Sequence, residues 1–439
     1  MIPEIPIHQG GSPTLTLRQR PPLVLIPQHF GCLIFDRRTS RYQPFDEEAT
    51  AILRQLRQVP AQQYLATLPD AERDRQRDFV EFFDQADFFH ADGRLAAACL
   101  DVTPPADHLT GPLAVHLEII GACNLTCTHC FAGTLPRNQN PLQLWEIDRL
   151  CGELAGIGGF RLGLTGGEPM MRRDLFDSMD AAAAHGLHRC RTTNGLLITE
   201  DAAREFGRRD LVWLNVSLDG ATAATNDAIR GAGTFEKVMA GLRVLGRHAR
   251  FTLAFTITSA NAHETRACAE LARSVGAHTA VFRPMYPTGT GLAHMHLMPT
   301  FEQYTNALRQ LDECLQVDED LRGIDPFSPQ HRDDLLADVT GNRGCGAANH
   351  VASISVQGEV NPCSFLGPDW DSGNIRERSF VEIWNQGHRF AAMRQMSGAG
   401  CSADGFSGGC RVRAQVYNGD VDAADPWQTQ FVQLGGHAS

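Results

Sequence analysis

Three closely spaced cysteines constrain this chain more than any other feature of its sequence. Cys123, Cys127 and Cys130 form a C-x3-C-x2-C pattern within eight residues. Soft thiolates suit iron–sulfur clusters, and three of them can ligate three irons of a [4Fe–4S] cube while the fourth iron stays open. A zinc site or buried cysteines without a ligand are the alternatives. Zinc usually takes four ligands, often as two C-x2-C pairs, and no second pair is adjacent in the sequence.

Length and composition indicate a large globular protein. A chain of 439 residues suggests about three domains, and 43% hydrophobic residues provide a sizeable core. The net charge of −12 argues against a nucleic-acid surface. The sequence shows neither a signal peptide nor an apolar run of about 18 residues, so no membrane partner is expected. Thirteen cysteines in such a chain point to a reducing, cytoplasmic compartment.

The first 98 residues predict a small α+β domain of winged-helix type. Residues 23–26 read as a strand, and residues 32–35 form a hairpin with the stretch near Tyr42. Asp46 is placed as the N-cap of a helix. A second helix begins at about Asp70, and its apolar side is expected to carry Phe79, Phe82, Phe83 and Phe89.

Strands and helices alternate through residues 112–300, which predicts a parallel sheet. About six strands favour an α/β fold of the partial (β/α)6 TIM-like barrel type, open on one side. The predicted strands are 117–120, 161–164, 189–193, 211–217, 251–257 and 279–283. The predicted helices are 142–157, 174–185, 200–207, 235–247 and 263–274.

The remainder of the chain predicts a connecting helical segment over 301–340 and a separate domain over 341–439. That domain is rich in cysteine and glycine. A hairpin is expected over 353–360, followed by short helices at 380–385 and near 390–396.

Polar and glycine-rich motifs follow the predicted barrel strands at the end where barrel enzymes place their active groups. The cysteine loop follows the first strand and Thr165-Gly166-Gly167-Glu168-Pro169 the second. Thr193-Asn194-Gly195 ends the third strand, Ser217-Leu218-Asp219-Gly220 the fourth, and Arg283 the sixth. These groups are therefore expected to meet at one edge of the sheet.

The cysteine triplet and these strand ends together resemble the radical S-adenosylmethionine (SAM) enzymes. The resemblance implies that Cys123, Cys127 and Cys130 are catalytic and bind a [4Fe–4S] cluster whose open iron takes the amino and carboxylate groups of SAM. Cleavage of SAM then yields a 5′-deoxyadenosyl radical that abstracts hydrogen from a substrate. The cofactor-binding residues it implies are Phe131, Gly166, Gly167, Glu168, Pro169, Asn194, Ser217, Asp219 and Arg283.

Plainer explanations exist for several of these side chains. Phe131 is equally consistent with a core residue, Asn194 with a turn residue and Ser217 with a strand-end hydroxyl. Arg230, in a run that resembles the peptide-modifying branch of the family, could simply bridge surface acids. The cysteines at 32, 99, 151, 190, 268 and 314 show no ligand spacing.

A second cysteine set, Cys345, Cys363, Cys401 and Cys410, resembles the SPASM or twitch extension of radical SAM enzymes. In the fuller pattern cysteines would also stand at 404 and 414, where this chain has Asp404 and Ala414. Another is expected just after Asp425-Pro426, where Trp427 stands. The metal ligands are therefore expected to bind one auxiliary [4Fe–4S] cluster rather than two. A zinc ion on the same four thiolates is the alternative, and Asp404 is more simply explained as a solvated side chain.

The N-terminal segment resembles the peptide-recognition fold of the PQQ-pathway chaperone, which binds an extended leader peptide at a strand edge. A capping domain for the barrel is the alternative. The resemblance implies a maturase that modifies a ribosomally made precursor peptide, with cross-link formation as the preferred outcome and a flavodoxin or ferredoxin as electron donor. Peptide epimerisation, a small-molecule tailoring activity of the haem-pathway kind and a non-enzymatic iron–sulfur or zinc protein remain alternatives.

Overall fold

The computed structural model describes residues 20–133, 140–209, 211–315, 321–323, 345–396 and 409–433. Two sheets organise this part of the chain. The smaller one has four strands in the order β3-β2-β1-β4, with β1 antiparallel to β2 and parallel to β4. Its strands are β1 (Leu23–Gln28), β2 (Gly31–Asp36), β3 (Arg41–Phe45) and β4 (Ala97–Cys99). The predicted N-terminal strand and hairpin are confirmed.

Three helices cover one face of this sheet: α1 (Glu47–Leu56), α2 (Ala61–Ala66) and α3 (Asp70–Gln85). Asp46 caps α1 as predicted, because its carboxylate accepts a 2.8 Å hydrogen bond from the Ala49 N–H. The predicted apolar side of α3 is only partly correct. Phe79 and Phe83 pack edge to face, but Phe82 is 50% exposed on the solvent side of the helix.

The inner strands β1 and β2 are buried on both faces, which explains their apolar runs. Leu23 and Leu25 face the helices, whereas Val24 and Ile26 face the larger sheet and pack near Phe160. Side chains that alternate along a strand can therefore all be apolar here.

The larger sheet is the predicted barrel wall. Its first six strands are parallel and adjacent in chain order. They are β5 (Ala114–Ile120), β6 (Arg161–Gly166), β7 (His188–Thr193), β8 (Leu211–Ser217), β9 (Thr252–Ile257) and β10 (Thr279–Pro284). A further parallel strand, β11 (Leu321–Gly323), continues the sheet beyond β10. The fold is thus the expected open α/β barrel, with a parallel strand beyond the sixth predicted one.

Seven α-helices accompany these strands within the described ranges: α4 (Leu144–Gly156), α5 (Leu175–Ala184), α6 (Glu200–Gly207), α7 (Ala223–Arg230), α8 (Thr234–Leu245), α9 (Thr265–Ser274) and α10 (Phe301–Leu315). The sequence analysis missed α7, a short helix between β8 and α8. Its Thr222 cap accepts a hydrogen bond from the Thr225 N–H. This helix brings Arg230 to the catalytic end of the barrel.

The C-terminal segment extends the barrel sheet instead of standing apart from it. Strand β12 (Val351–Ile354) pairs in parallel with β5, and β13 (Val360–Asn361) pairs with β12 as the predicted hairpin. The helices that follow are α11 (Phe380–Gln386), α12 (His388–Arg394), α13 (Arg411–Asn418) and α14 (Pro426–Gln433). Trp384 on α11 is fully buried and donates a 2.9 Å hydrogen bond to the Leu109 carbonyl.

The N-terminal sheet docks at the end of the barrel where β6 begins. The Tyr42 hydroxyl donates to the Gly158 carbonyl at 2.9 Å and accepts from the Phe160 N–H at 2.8 Å. Arg161 Nε donates to the Ser40 carbonyl at 2.7 Å. The docking surface therefore lies opposite the carboxyl ends of the strands. The domain boundaries expected at residues 98, 112, 300 and 340 remain predictions.

None of the helices described here is both long and apolar enough to span a membrane.

Candidate active site

The cysteine loop directly follows β5 and lines a cavity of about 290 Å³. Cys123, Cys127 and Cys130 are each half-buried. The cavity wall continues over the carboxyl ends of the neighbouring strands. The predicted cofactor-binding residues that line it are Phe131, Gly166, Gly167, Glu168, Asn194, Ser217 and Arg283. The structure therefore brings most of the predicted site together.

Pro169 and Asp219 are the two predicted cofactor-binding residues outside this cavity lining. Pro169 begins a short 3-10 turn (Pro169–Met171), a position that suits its fixed φ and missing N–H. Asp219 is fully buried behind the cavity wall. Their expected contacts with SAM remain predictions, and in this structure both residues shape the site indirectly.

Two glycines allow β6 to approach the cysteine loop. Gly166 has φ +130°, and a Cβ built on it would stand 2.2 Å from the Ile120 carbonyl oxygen. A Cβ on Gly167 would stand 2.1 Å from the Ala122 oxygen, whose carbonyl instead accepts the Glu168 N–H at 2.8 Å. No side chain fits at either position, so the motif ties β6 to the start of the loop.

Glu168 links the ends of two strands. Its Oε1 accepts 2.9 Å hydrogen bonds from the Met170 N–H and the Thr193 hydroxyl, and its Oε2 accepts one of 2.7 Å from the Asn194 N–H. A carboxylate offers about four acceptor positions. Three accepted hydrogen bonds therefore leave roughly one acceptor position of Glu168 unused at the cavity wall.

Arg191 stands behind Glu168 and was missed by the sequence analysis. Its side chain is fully buried, with Nη2 3.8 Å from Glu168 Oε1. None of its three guanidinium nitrogens has a hydrogen-bond partner within the described part of the chain. Burial lowers the pKa of Arg191 to about 10, and Glu168 opposes that change. An arginine two residues before Thr193 in a buried strand was the available signal.

Asn194 acts as a turn residue and also contacts the cysteine loop, while its expected contact with SAM stays a prediction. Its side-chain oxygen accepts the Leu196 N–H at 3.0 Å, as a turn residue would. Its Nδ2 donates to Asn124 Oδ1 at 2.7 Å and lies 3.9 Å from the Cys123 sulfur. The end of β7 therefore supports the cysteine loop directly.

Asp219 carries a dense set of contacts. Its Oδ1 accepts the Thr256 N–H at 2.8 Å, while Oδ2 lies 2.9 Å from His129 Nε2 and 2.6 Å from Arg230 Nε. Burial disfavours the ionised carboxylate, but Arg230 and His129 outweigh it and hold the pKa of Asp219 well below its usual range. The surface role considered for Arg230 is wrong, since its side chain is 8% exposed and pairs with a buried acid.

Phe365 of the C-terminal domain joins two aromatic rings of the barrel segment, Phe131 and Tyr286, in the cavity wall. Phe131 meets Phe365 edge to face at 5.3 Å, and Phe365 stacks on Tyr286 at 4.5 Å. Phe131 is therefore in contact with the C-terminal domain and also lines the cavity, so an adenine contact stays a prediction.

His116 on β5 faces the same cavity and was not singled out from the sequence. Its Nδ1 lies 2.7 Å from the Ser364 hydroxyl of the C-terminal domain. Burial lowers the pKa of His116 to about 4, and the nearby Arg283 guanidinium contributes. His116 is therefore neutral at physiological pH.

Three of the four predicted auxiliary ligands are described, whereas Cys401 and Asp404 lie outside the described residues. Cys410 is buried and packs with Cys345. Burial raises the pKa of Cys363 to about 12, and Cys345 beside it adds to the shift. These three thiols thus gather at one place in the C-terminal domain.

Two of the three substituted cysteine positions, 414 and 427, are occupied by core residues. Ala414 is 1% exposed, and Trp427 is buried with its ring stacked on Tyr304 at 4.8 Å. Nearby, Arg413 and Asp425 form a fully buried ion pair at 2.7 Å, and the Cys410 N–H donates to Asp425 at 2.7 Å. Packing replaces ligation at these positions.

The donor set of the cysteine loop fits an iron–sulfur cluster better than a single ion. Across the described ranges, no three Cys, His, Asp or Glu side chains are close enough to hold one metal ion. Thiolates that ligate separate irons of a cube stand farther apart than the ligands of one zinc. Burial raises the pKa of Cys127 to about 11, so cluster binding would release a proton.

Comparisons with known proteins agree with this geometry. The family model of the radical SAM superfamily matches residues 117–272, and SPASM, an iron–sulfur cluster-binding domain, matches residues 345–407. Mycofactocin maturase MftC of Mycolicibacterium smegmatis is 32% identical over 332 residues, covering 72% of this chain and 83% of that protein. The AdoMet-dependent heme synthase of Methanosarcina barkeri is 29% identical over 341 residues, covering 72% of this chain and 96% of that protein.

The fold also matches solved structures. SuiB of Streptococcus suis bound to S-adenosylmethionine superposes with a TM-score of 0.71, covering 93% of this chain and 99% of that chain at 13% identity. SuiB bound to its precursor peptide SuiA superposes with a TM-score of 0.69 at 13% identity, covering 93% and 98%. The chain therefore belongs to the radical SAM superfamily: it is an enzyme that uses S-adenosylmethionine and iron–sulfur clusters, and its C-terminal domain is a SPASM domain.

Proposed function

We propose that this enzyme modifies a ribosomally synthesised precursor peptide and that the modification is a cross-link. The main observation in favour of a peptide substrate is the N-terminal sheet, which has two edge strands and belongs to a domain fused to the barrel. The likeness to a mycofactocin maturase and to SuiB, which has been crystallised with a precursor peptide, supports the proposal.

The leader segment of the peptide would bind to the edge of the N-terminal sheet. Strands β3 and β4 are its two edges, and β3 (Arg41–Phe45) is the longer. Backbone groups on the outer side of an edge strand can pair with an extended peptide, and such main-chain hydrogen bonds supply affinity. Tyr42 fixes this strand to the barrel through Gly158 and Phe160, so the bound leader would be held in a constant relation to the active site.

The residues of the cavity would then have separate roles in the reaction. When bound, the cluster and SAM would supply a 5′-deoxyadenosyl radical that takes a hydrogen atom, while the auxiliary cluster takes the electron left by bond formation. Glu168 offers an acceptor to the SAM ammonium group. The Phe131, Phe365 and Tyr286 rings wall the cavity against water on the side of the C-terminal domain.

The test is an anaerobic reaction of the reconstituted full-length enzyme with SAM, a reductant and the product of any small open reading frame beside its gene. Formation of 5′-deoxyadenosine with a peptide that has lost two hydrogen atoms is the expected result. A peptide whose mass is unchanged after reaction in H2O, but which takes up one deuterium in D2O, would instead identify an epimerase. No 5′-deoxyadenosine at all would contradict radical chemistry. Replacing dithionite by a flavodoxin or ferredoxin tests the proposed electron donor.

A single auxiliary cluster is part of the proposal. The loop cluster and one complete auxiliary cluster together predict about eight irons per chain. The loop cluster and a structural zinc predict about four irons and one zinc. Replacing Cys363 by serine should remove about four irons and leave the cluster of the cysteine loop in place. Unchanged iron content in this variant would argue against the auxiliary cluster.

A tailoring enzyme for a small molecule is the second candidate, favoured by the heme synthase match that covers 96% of that relative. In that case the N-terminal sheet would act as a cap, and the enzyme would bind no leader peptide. Isothermal titration of the full-length protein with the candidate precursor separates the two candidates. Binding supports the maturase, and its absence together with turnover of a porphyrin supports the alternative.

A further inference from the structure

A buried ion pair stands against the cysteine loop. Asp219 Oδ2 and Arg230 Nε are 2.6 Å apart, with Asp219 fully buried and Arg230 8% exposed. Asp219 comes from the turn after β8, and Arg230 is the last residue of α7. The pair therefore joins two elements next to the loop.

The same two elements hold the loop by hydrogen bonds. The Thr128 N–H and hydroxyl donate to the Ile229 carbonyl at 3.1 and 3.3 Å. His129 Nε2 lies 2.9 Å from Asp219 Oδ2. Thr128 and His129 are the two residues between the second and third cysteines of the motif. The conformation of that short segment is therefore fixed from one side by α7 and Asp219.

Arg230 also lies beside the ligands themselves. Its side chain lines the cavity together with Cys127 and Cys130. A fixed cation thus faces the same cavity as two of the cluster-ligating cysteines, and the Asp219 carboxylate balances its charge.

We propose that Asp219 and Arg230 are positioning residues that set the reduction potential of the cluster held by Cys123, Cys127 and Cys130. Reduction adds one negative charge to the cluster. A nearby cation stabilises the reduced form, and a nearby anion destabilises it, most strongly where water is excluded. Arg230 therefore raises the potential, and Asp219 limits that effect. The inference concerns the cluster and holds whichever substrate the enzyme modifies.

Two substitutions should shift the potential in opposite directions. Arg230→Gln removes the cation and should make the midpoint potential more negative. Asp219→Asn removes the balancing anion and should make it more positive. Each shift is expected to change the ratio of reduced to oxidised cluster at least tenfold at the wild-type midpoint, which corresponds to about 59 mV for a one-electron couple.

The measurement is a redox titration of the reconstituted full-length enzyme without SAM, followed by electron paramagnetic resonance. Adding SAM afterwards identifies the signal of the loop cluster, because only that cluster binds SAM. Arg230→Lys keeps the charge and should retain a potential near that of wild type. Arg376→Gln is the control, since this arginine pairs with Glu146 at 2.6 Å outside the cavity lining.

A purely structural clamp gives a different pattern. In that case Asp219→Asn and Arg230→Gln would shift the midpoint potential in the same direction or leave it unchanged. Alternatively, both variants would lose iron while their circular dichroism spectra stay normal. Each of these results overturns the proposal. If only Arg230→Gln fails to bind the cluster, Asp219→Asn still tests the proposal. A midpoint potential of Asp219→Asn that does not become more positive refutes the proposal.

Discussion

Arg191 Nη2 lies 3.8 Å from Glu168 Oε1, and both side chains are excluded from solvent. Replacing Arg191 by methionine would leave Glu168 as a buried charge without its cation. We expect the protein to lose about 3 kcal/mol in its free energy of unfolding, as when one partner of a buried pair is removed. Urea unfolding of the cluster-free protein measures this loss.

The matched control for Arg191 is Arg204→Met. Arg204 pairs with Glu200 at 3.3 Å, but its side chain is 50% exposed, and exposed pairs contribute about 0–1 kcal/mol. Equal losses in the two variants would show that the buried guanidinium does not support Glu168. A weaker affinity for SAM in Arg191→Met alone would agree with the role of Glu168 in the cavity wall.

Glu118 makes stability depend on pH. It is 5% exposed, and burial raises its pKa to about 7, with the Val356 backbone opposing the shift. The unfolded chain ionises Glu118 near pH 4.5, so the folded state loses stability as the pH rises from there to about 7. Up to about 3 kcal/mol is lost over this range.

Glu118→Gln, which stays neutral, removes that loss. The difference in urea midpoint, variant minus wild type, should therefore increase from pH 5 to pH 8. Both proteins are measured without cluster. A constant difference across this range would mean that Glu118 is not protonated in the folded state.

Tyr42 carries two of the hydrogen bonds between the N-terminal sheet and the barrel. Tyr42→Phe leaves the Gly158 carbonyl and the Phe160 N–H without this partner, which should cost about 1–3 kcal/mol in unfolding free energy. Reductive cleavage of SAM should be unaffected, because these groups lie at the opposite end of the barrel from the cysteine loop. Thermal unfolding and 5′-deoxyadenosine release measure the two effects separately.

Tyr64→Phe is the control for this substitution, since the Tyr64 hydroxyl bonds to Gln76 inside the N-terminal domain. One outcome is that Tyr42→Phe binds the precursor peptide like wild type but modifies it more slowly. That result would show that docking of the N-terminal sheet on the barrel positions the leader. Identical rates in both variants would limit Tyr42 to a role in stability.

Gly166→Ala should prevent formation of the cluster site. The new Cβ would lie 2.2 Å from the Ile120 oxygen on a backbone with φ +130°, so the end of β6 would have to move away from the cysteine loop. Iron content and the absorbance of the reconstituted protein report the loss. Gly156→Ala is the control, since nothing lies within 4 Å of a Cβ at that position in α4, and it should reconstitute normally.

Local patterns in the sequence were enough to locate the barrel strands, the cysteine loop and the strand-end motifs. Hydrophobic periodicity, caps and glycine pairs are carried by neighbouring residues, so they can be recognised without the fold. Helix α7 was missed because its threonine and asparagine residues are weak helix formers, and tertiary contacts of Arg230 stabilise it instead.

Contacts between distant segments could not be predicted in the same way. The pairing of His129 and Arg230 with Asp219 depends on three separate elements, and no spacing in the sequence signals it. Phe131 was expected at a cofactor, but its ring contact with Phe365 depends on how the C-terminal domain docks. Arg191 looked like one of several arginines until its burial behind Glu168 was known.

The pairing of β12 with β5 has a consequence for biogenesis. About 230 residues of chain, 121–350, separate the two strands, so the ribosome must make most of the protein before β5 gains its second neighbour. Until then the strand that leads into the cysteine loop presents an open edge. Iron delivered to the nascent chain would meet an unfinished binding site, so we expect cluster insertion to follow release of the complete polypeptide.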